Sequence, residues 1–112
     1  METPSGPAQR SVLTKGFRDE LDLLGRHVRM LRFVQEHGPI GIIALSKKLG
    51  TPKHKVRYSL RILEKEGYIR PSTQGAVATE KVAIFFDSLR GLLADVQKEL
   101  GQLIDELGKK SG

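Results

Sequence analysis

The chain has 112 residues, with 19 Lys and Arg against 13 Asp and Glu, giving a net charge of +6. That length allows one domain with an appended helix and excludes a two-domain enzyme. The absence of cysteine removes disulfide scaffolds, thiolate-bound zinc, iron–sulfur clusters and thiol catalysis. The most apolar stretch, Ile40-Gly-Ile-Ile-Ala-Leu45, falls far short of the roughly 20 residues that cross a bilayer. Met1 to Gln9 is polar and rich in Pro, Gly and Ser, unlike the apolar region of a signal peptide. The expected setting is therefore cytoplasmic, with no membrane partner.

Charge is concentrated in the middle of the chain. Between Gly41 and Gly75 stand eight basic residues and only two acids, Glu64 and Glu66. From Thr79 onward five basic residues meet six acids. A positive centre beside a near-neutral tail points to a localised polyanionic partner, with nucleic acid foremost.

Residues 1–14 lack periodicity and read as a disordered lead-in. A helix is expected from about Gly16 to His37, with Phe17, Leu21, Leu24, Val28 and Leu31 lining one face. Leu23, Met30 and Val34 form a second stripe, so the helix should be sandwiched between two partners. Gly25 is expected to kink or divide it, and Gly38-Pro39 to end it. A short helix fits Gly41 to Leu49. Gly50 then marks a turn, Thr51 a cap and Pro52 the start of a helix reaching Glu66. Tyr68–Arg70 and Ala76–Ala78 read as strands of a hairpin with a polar tip, and Pro71 pushes its strand to an edge or to the strand's end. Thr79 is expected to cap a last helix from Glu80 to Leu107. In it Val82, Phe86, Leu89, Leu93, Val96, Leu100, Leu103 and Leu107 form an unbroken heptad seam. That helix would be about 40 Å long, more than a small domain needs to close its own core.

This order of elements, and the stretch Leu45-Ser-Lys-Lys-Leu49-Gly50-Thr-Pro-Lys-His-Lys-Val56-Arg-Tyr-Ser-Leu60, resemble the winged helix-turn-helix of transcriptional regulators. The continuation Leu60-Arg-Ile-Leu63-Glu-Lys-Glu-Gly67-Tyr-Ile69-Arg70 is similar to that family's passage from recognition helix into wing. Ser46, where alanine is usual, and Pro71 depart from the pattern. The heptad tail is similar to those of small archaeal winged-helix proteins that dimerise through a C-terminal helix. The resemblance implies a mainly α, α+β fold: a three-helix core, a small β-hairpin wing and a long C-terminal coiled-coil helix. The expected boundaries are 15–79 for the winged-helix domain, 80–107 for the dimerisation helix and 108–112 for a frayed tail.

The residues can be read independently of that likeness. Val56, Leu60 and Leu63 point one way and should face the core, leaving His54, Arg57, Tyr58, Arg61 and Lys65 on the opposite half of their helix. Such a helix fits a major groove, where Arg57 or Arg61 can contact guanine in bidentate fashion. Lys47, Lys48, Lys53 and Lys55 suit phosphates, while Arg70, Thr73 and Gln74 lie at the wing, near backbone or minor groove. Tyr58 suits either stacking on sugar or base or packing on its neighbours, and His54 either a phosphate contact or a passive surface position. The alternative is a solvated basic face.

No histidine sits at metal-ligand spacing, and the glycines punctuate helices without forming a phosphate-binding loop. Neither enzyme activity, metal nor cofactor is expected, and a small-molecule effector stays open. The expected partners are double-stranded DNA, on the nucleoid, and a second copy of the chain through the seam. A sequence-tolerant architectural role and a protein-interaction module remain as alternatives.

Overall fold

The computed structural model describes residues 6–108. The elements are α1 (Pro7–Arg10), α2 (Val12–His37), α3 (Ile42–Leu49), α4 (Lys53–Lys65), β1 (Ile69–Ser72), β2 (Gly75–Ala78) and α5 (Lys81–Gly108). The fold is a mainly α winged helix with a small antiparallel hairpin and a long C-terminal helix. It divides into one compact unit ending at Thr79 and a second beginning at Glu80.

The lead-in expected as disordered over 1–14 is helical from Pro7, apart from the extended Ser11 between α1 and α2. Local capping explains the difference. Pro7 opens α1, where its missing N–H costs no hydrogen bond, and the Ser11 hydroxyl accepts from the Leu13 N–H at 3.1 Å. The Thr14 hydroxyl donates to the Ala8 carbonyl, tying the two helices together. Residues 1–5 of that lead-in, and 109–112 of the expected tail, lie outside the described residues; Gly108 is the last residue of α5.

α2 runs through Gly25 without a break. The Arg29 guanidinium lies 3.1 Å from where a Cβ at Gly25 would stand, so the glycine leaves room for that side chain. The helix buries Met30, Leu31 and Val34, and the core of the first unit adds Leu45 from α3, Val56, Ser59 and Leu63 from α4, and Ile69 from β1. Two stripes thus converge at the C-terminal half of α2, while Phe17 and Leu21 remain exposed.

The turn between α3 and α4 is closed by two devices. Gly50 takes a left-handed conformation (φ +61°), and both its N–H and that of Thr51 donate to the Ser46 carbonyl. Ser46 departs from the usual alanine to a purpose: its hydroxyl donates to the Thr51 carbonyl at 2.6 Å, bridging the turn. Thr51 does not cap α4 as expected. Pro52, extended at ψ 146°, occupies the flanking position itself, and the Thr51 hydroxyl donates back to the Leu49 carbonyl at 3.3 Å. At the other end of α4, the Tyr68 N–H reaches the Leu63 carbonyl and the Gly67 N–H the Glu64 carbonyl, with Gly67 at φ +86°. This is a Schellman closure.

The wing pairs Ile69 with Ala78, Arg70 with Val77, Pro71 with Ala76 and Ser72 with Gly75, leaving Thr73 and Gln74 as a two-residue tip. Its strands are longer than expected because Pro71 lies within β1. Ala76 spends both its N–H and its carbonyl on Ile40, at 2.8 and 3.1 Å. Those groups therefore face away from β1, and Pro71 opposite sits at a position where no ladder hydrogen bond is required. The Thr79 hydroxyl donates to the Gly67 carbonyl at 2.7 Å, pinning the base of the hairpin to the end of α4.

Gly75 lies where the Ile40–Gly41 backbone crosses the wing. A Cβ there would meet the Ile40 carbonyl carbon at 2.5 Å, and its φ of +125° is closed to other residues. Gly50 has positive φ but open space around it. Gly75→Ala is expected to cost about 2–3 kcal/mol, against about 1 kcal/mol for Gly50→Ala, measured by urea unfolding. Equal losses would show that the crossing does not constrain the wing.

Candidate nucleic-acid interface

α4 is fixed by its back. Val56, Ser59 and Leu63 are buried, and Leu60, expected in the core, is only half-buried at the margin of that stripe. Ser59 replaces it as the central inward residue, fully buried although polar. Its hydroxyl lies 3.1 Å from Arg26 Nε and 2.9 Å from His27 Nδ1, both on α2. A buried hydroxyl without partners would be costly; here it knits α2 to α4.

The opposite face carries the cations. Lys53, His54, Lys55, Arg57, Tyr58, Arg61 and Lys65 are all exposed along α4. Lys47 and Lys48 stand exposed in the last turn of α3, and Arg70, Thr73 and Gln74 are exposed on the wing. Thr73 and Gln74 form its tip, which is held by a Gln74 N–H bond to the Ser72 hydroxyl at 3.2 Å. Tyr58 keeps 44% of its surface exposed and is flanked by Arg26, 5.9 Å above its ring, and by the His27 ring at 6.1 Å. One side of that tyrosine packs and the other is free.

Ion pairs are unevenly distributed among the described residues, and Arg26 and Arg29 on α2 and Lys98 on α5 stand outside them. Among the described residues, Lys15–Asp19, Arg18–Asp22 and Arg32–Glu36 pair along α2, and Arg90–Asp87 on α5. No basic side chain of α3, α4 or the wing is paired with a carboxylate. Glu64 and Glu66 share α4's C-terminal end with Lys65 but neutralise none of its cations. The result is an unneutralised positive surface along the outward side of α4. Its neighbour in space, missed by the sequence reading, is Arg26. It lies on α2, 31 residues before Arg57 in sequence, and nothing in the local pattern of α2 separates it from the paired arginines of the same helix. Among the described residues no cluster of three His, Asp or Glu side chains is placed to hold a metal, and no helix is long and apolar enough to cross a membrane.

Residues 23–70 match the family described as winged helix-turn-helix DNA-binding. The match ends within β1 and β2 completes the antiparallel wing beyond it, so residues 23–78 have the architecture of a winged helix-turn-helix DNA-binding domain. A comparison with curated proteins returned no match.

Burial, reinforced by the adjacent Arg26 charge, holds the His27 pKa below its ordinary value. Protonation therefore favours the unfolded chain, which takes up the proton first as pH falls. The stability contributed by neutral His27 is complete above about pH 6.5 and declines below it. In urea unfolding between pH 5 and 7.5, His27→Asn is expected to lessen the dependence of stability on pH. A variant with the same dependence as the parent would remove His27 as its source.

Proposed function

We propose that the protein is a dimeric, sequence-specific double-stranded DNA-binding transcriptional regulator. α4, with flanking residues 52–66, is its recognition helix, and the wing (70–77) lies on backbone or minor groove. The observation that carries this reading is that no cation on α3, α4 or the wing is paired with a carboxylate, whereas Lys15, Arg18 and Arg32 on α2 and Arg90 on α5 are. Exposed cations left without internal carboxylates keep their charge for an external polyanion. Arg57 and Arg61 read bases, Lys47, Lys48, Lys53 and Lys55 hold phosphates, and Arg70, Thr73 and Gln74 steady the wing. His54, Tyr58 and Lys65 complete the surface.

Arg57→Glu with Arg61→Glu is expected to abolish duplex binding with helicity and assembly unchanged, measured by fluorescence anisotropy and circular dichroism. In the parent protein log K should fall with log salt by about 0.9 per phosphate neutralised. Retained affinity in the double variant would defeat the recognition-helix assignment. A parent protein that does not bind duplex even at low salt would favour a protein-interaction module. Equal affinity for selected and random duplexes would favour an architectural role.

The self-association half of the reading rests on α5. Val82 and Leu89 are buried and Phe86 and Val96 half-buried, whereas Leu93, Leu100, Leu103 and Leu107 are exposed at heptad spacing. Leu107 is 85% exposed. A second copy of the same helix covers such a row with knobs matched to its holes, and each leucine fully buried contributes about 1.5–3 kcal/mol. Two recognition helices then suit a palindromic site with half-sites about one turn of DNA apart. Leu93→Lys with Leu100→Lys is expected to halve the mass measured by sedimentation equilibrium; an unchanged mass would rule out the seam as the interface.

A further inference from the structure

One cation on the positive face comes from outside the helix-turn-helix. Arg26 is fixed at its Nε by the hydroxyl of the fully buried Ser59, 3.1 Å away, and its guanidinium carbon lies 5.9 Å above the Tyr58 ring. That hydroxyl is in turn held by His27 Nδ1 at 2.9 Å, so the anchor cannot swing away with the surface. A guanidinium has five N–H groups, and the Nε–H is the one engaged here. Among the described residues the remaining four have no partner. Arg26 lines a shallow concavity with His54, Lys55, Arg57, Tyr58 and Arg61, and no carboxylate stands among them.

We propose that Arg26, with Lys55 and the Tyr58 hydroxyl, forms a notch that binds one backbone phosphate of the duplex beside the groove entered by α4. The inference rests on the DNA-binding reading and adds to it a contact from the helix preceding the helix-turn-helix. The chemistry selects the ligand. A planar fork with its free N–H groups fixed in direction matches the two non-bridging oxygens of a phosphodiester, and a second cation stands alongside. Asp19 and Asp22, which line an adjoining concavity with Arg26 and Lys55, are engaged by Lys15 and Arg18. Because its Nε is already bonded, Arg26 meets the phosphate in its resting conformation and loses little side-chain freedom on binding. A lysine at the same place could supply the charge but neither the anchor nor the fork.

The test uses the full chain and a labelled duplex, with affinity measured by fluorescence anisotropy over a series of salt concentrations. Arg26→Gln is expected to weaken binding about tenfold and to lower the salt slope by about 0.9, the signature of one lost phosphate contact. Arg26→Lys should keep the slope while weakening binding, because charge is retained and the fork is lost. A purely structural role for Arg26 would leave the slope of the folded glutamine variant unchanged, and that result overturns the proposal. Should the glutamine variant not fold, the parent protein labelled with nitrogen-15 decides. Its Arg26 Nε–H resonance should move on addition of duplex, and an unmoved resonance overturns the assignment. The same movement produced by inorganic phosphate alone at equal concentration would assign the notch to a free anion and overturn the duplex contact. If the parent protein binds no duplex, the DNA-binding reading itself fails. If it binds and Arg26→Gln binds as tightly with the same slope, only the notch does.

Discussion

A helix that presents cations to a partner has to be held from behind by few side chains, because every residue turned inward is one fewer turned outward. In α4 that hold comes from Val56, Ser59 and Leu63, spaced three and four apart on one side of 13 helical residues. Two of the three contribute by excluding water. The third contributes a hydroxyl whose contacts, Arg26 and His27, both lie on α2, which fixes the rotation of α4 about its axis more sharply than apolar packing alone. Everything on the outward face, from His54 to Lys65, inherits its direction from that arrangement.

The closing devices at the two ends of α4 serve the same end. At its start, Gly50 and the Ser46 bridge make the turn from α3 short and rigid, so Lys47 and Lys48 stay close to the first turn of the next helix. At its finish, Gly67 reverses the chain directly into β1, and Thr79 ties the returning strand to the same turn. Helix, turn and wing are thus linked by backbone and hydroxyl contacts and not by ion pairs, and the cations of this region keep their charge unneutralised. The seam on α5 poses a separate requirement, that of its own exposed leucines.

Much of this was legible in the sequence, for identifiable reasons. Helical periodicity located α2 through α5 because their apolar residues recur at turn spacing, and glycines at 50 and 67 marked the ends of α3 and α4 because both positions take left-handed backbone. The outward direction of Arg57 and Arg61 followed from the inward direction of Val56 and Leu63. What escaped was polar and long-range. Ser59 drew no expectation, since nothing in a linear pattern announces that a hydroxyl will be enclosed by Arg26 and His27, more than 30 positions away. Thr51 had the composition of a cap and lost that role to the geometry of the proline after it. The early helices α1 and α2 were missed at their start because capping by Ser11 and Pro7 can order a segment with no apolar period at all.

Pro71 has a further consequence for the company the wing keeps. The groups of β1 that do not point at β2 belong to Ile69 and Pro71, and the proline supplies no N–H. The free margin of the hairpin therefore offers an interrupted row of donors to any passing strand, and the opposite margin is already taken by Ile40. A pair of strands this small would otherwise be an invitation to edge-on aggregation. The imino acid seals the sheet at two strands and one bridge.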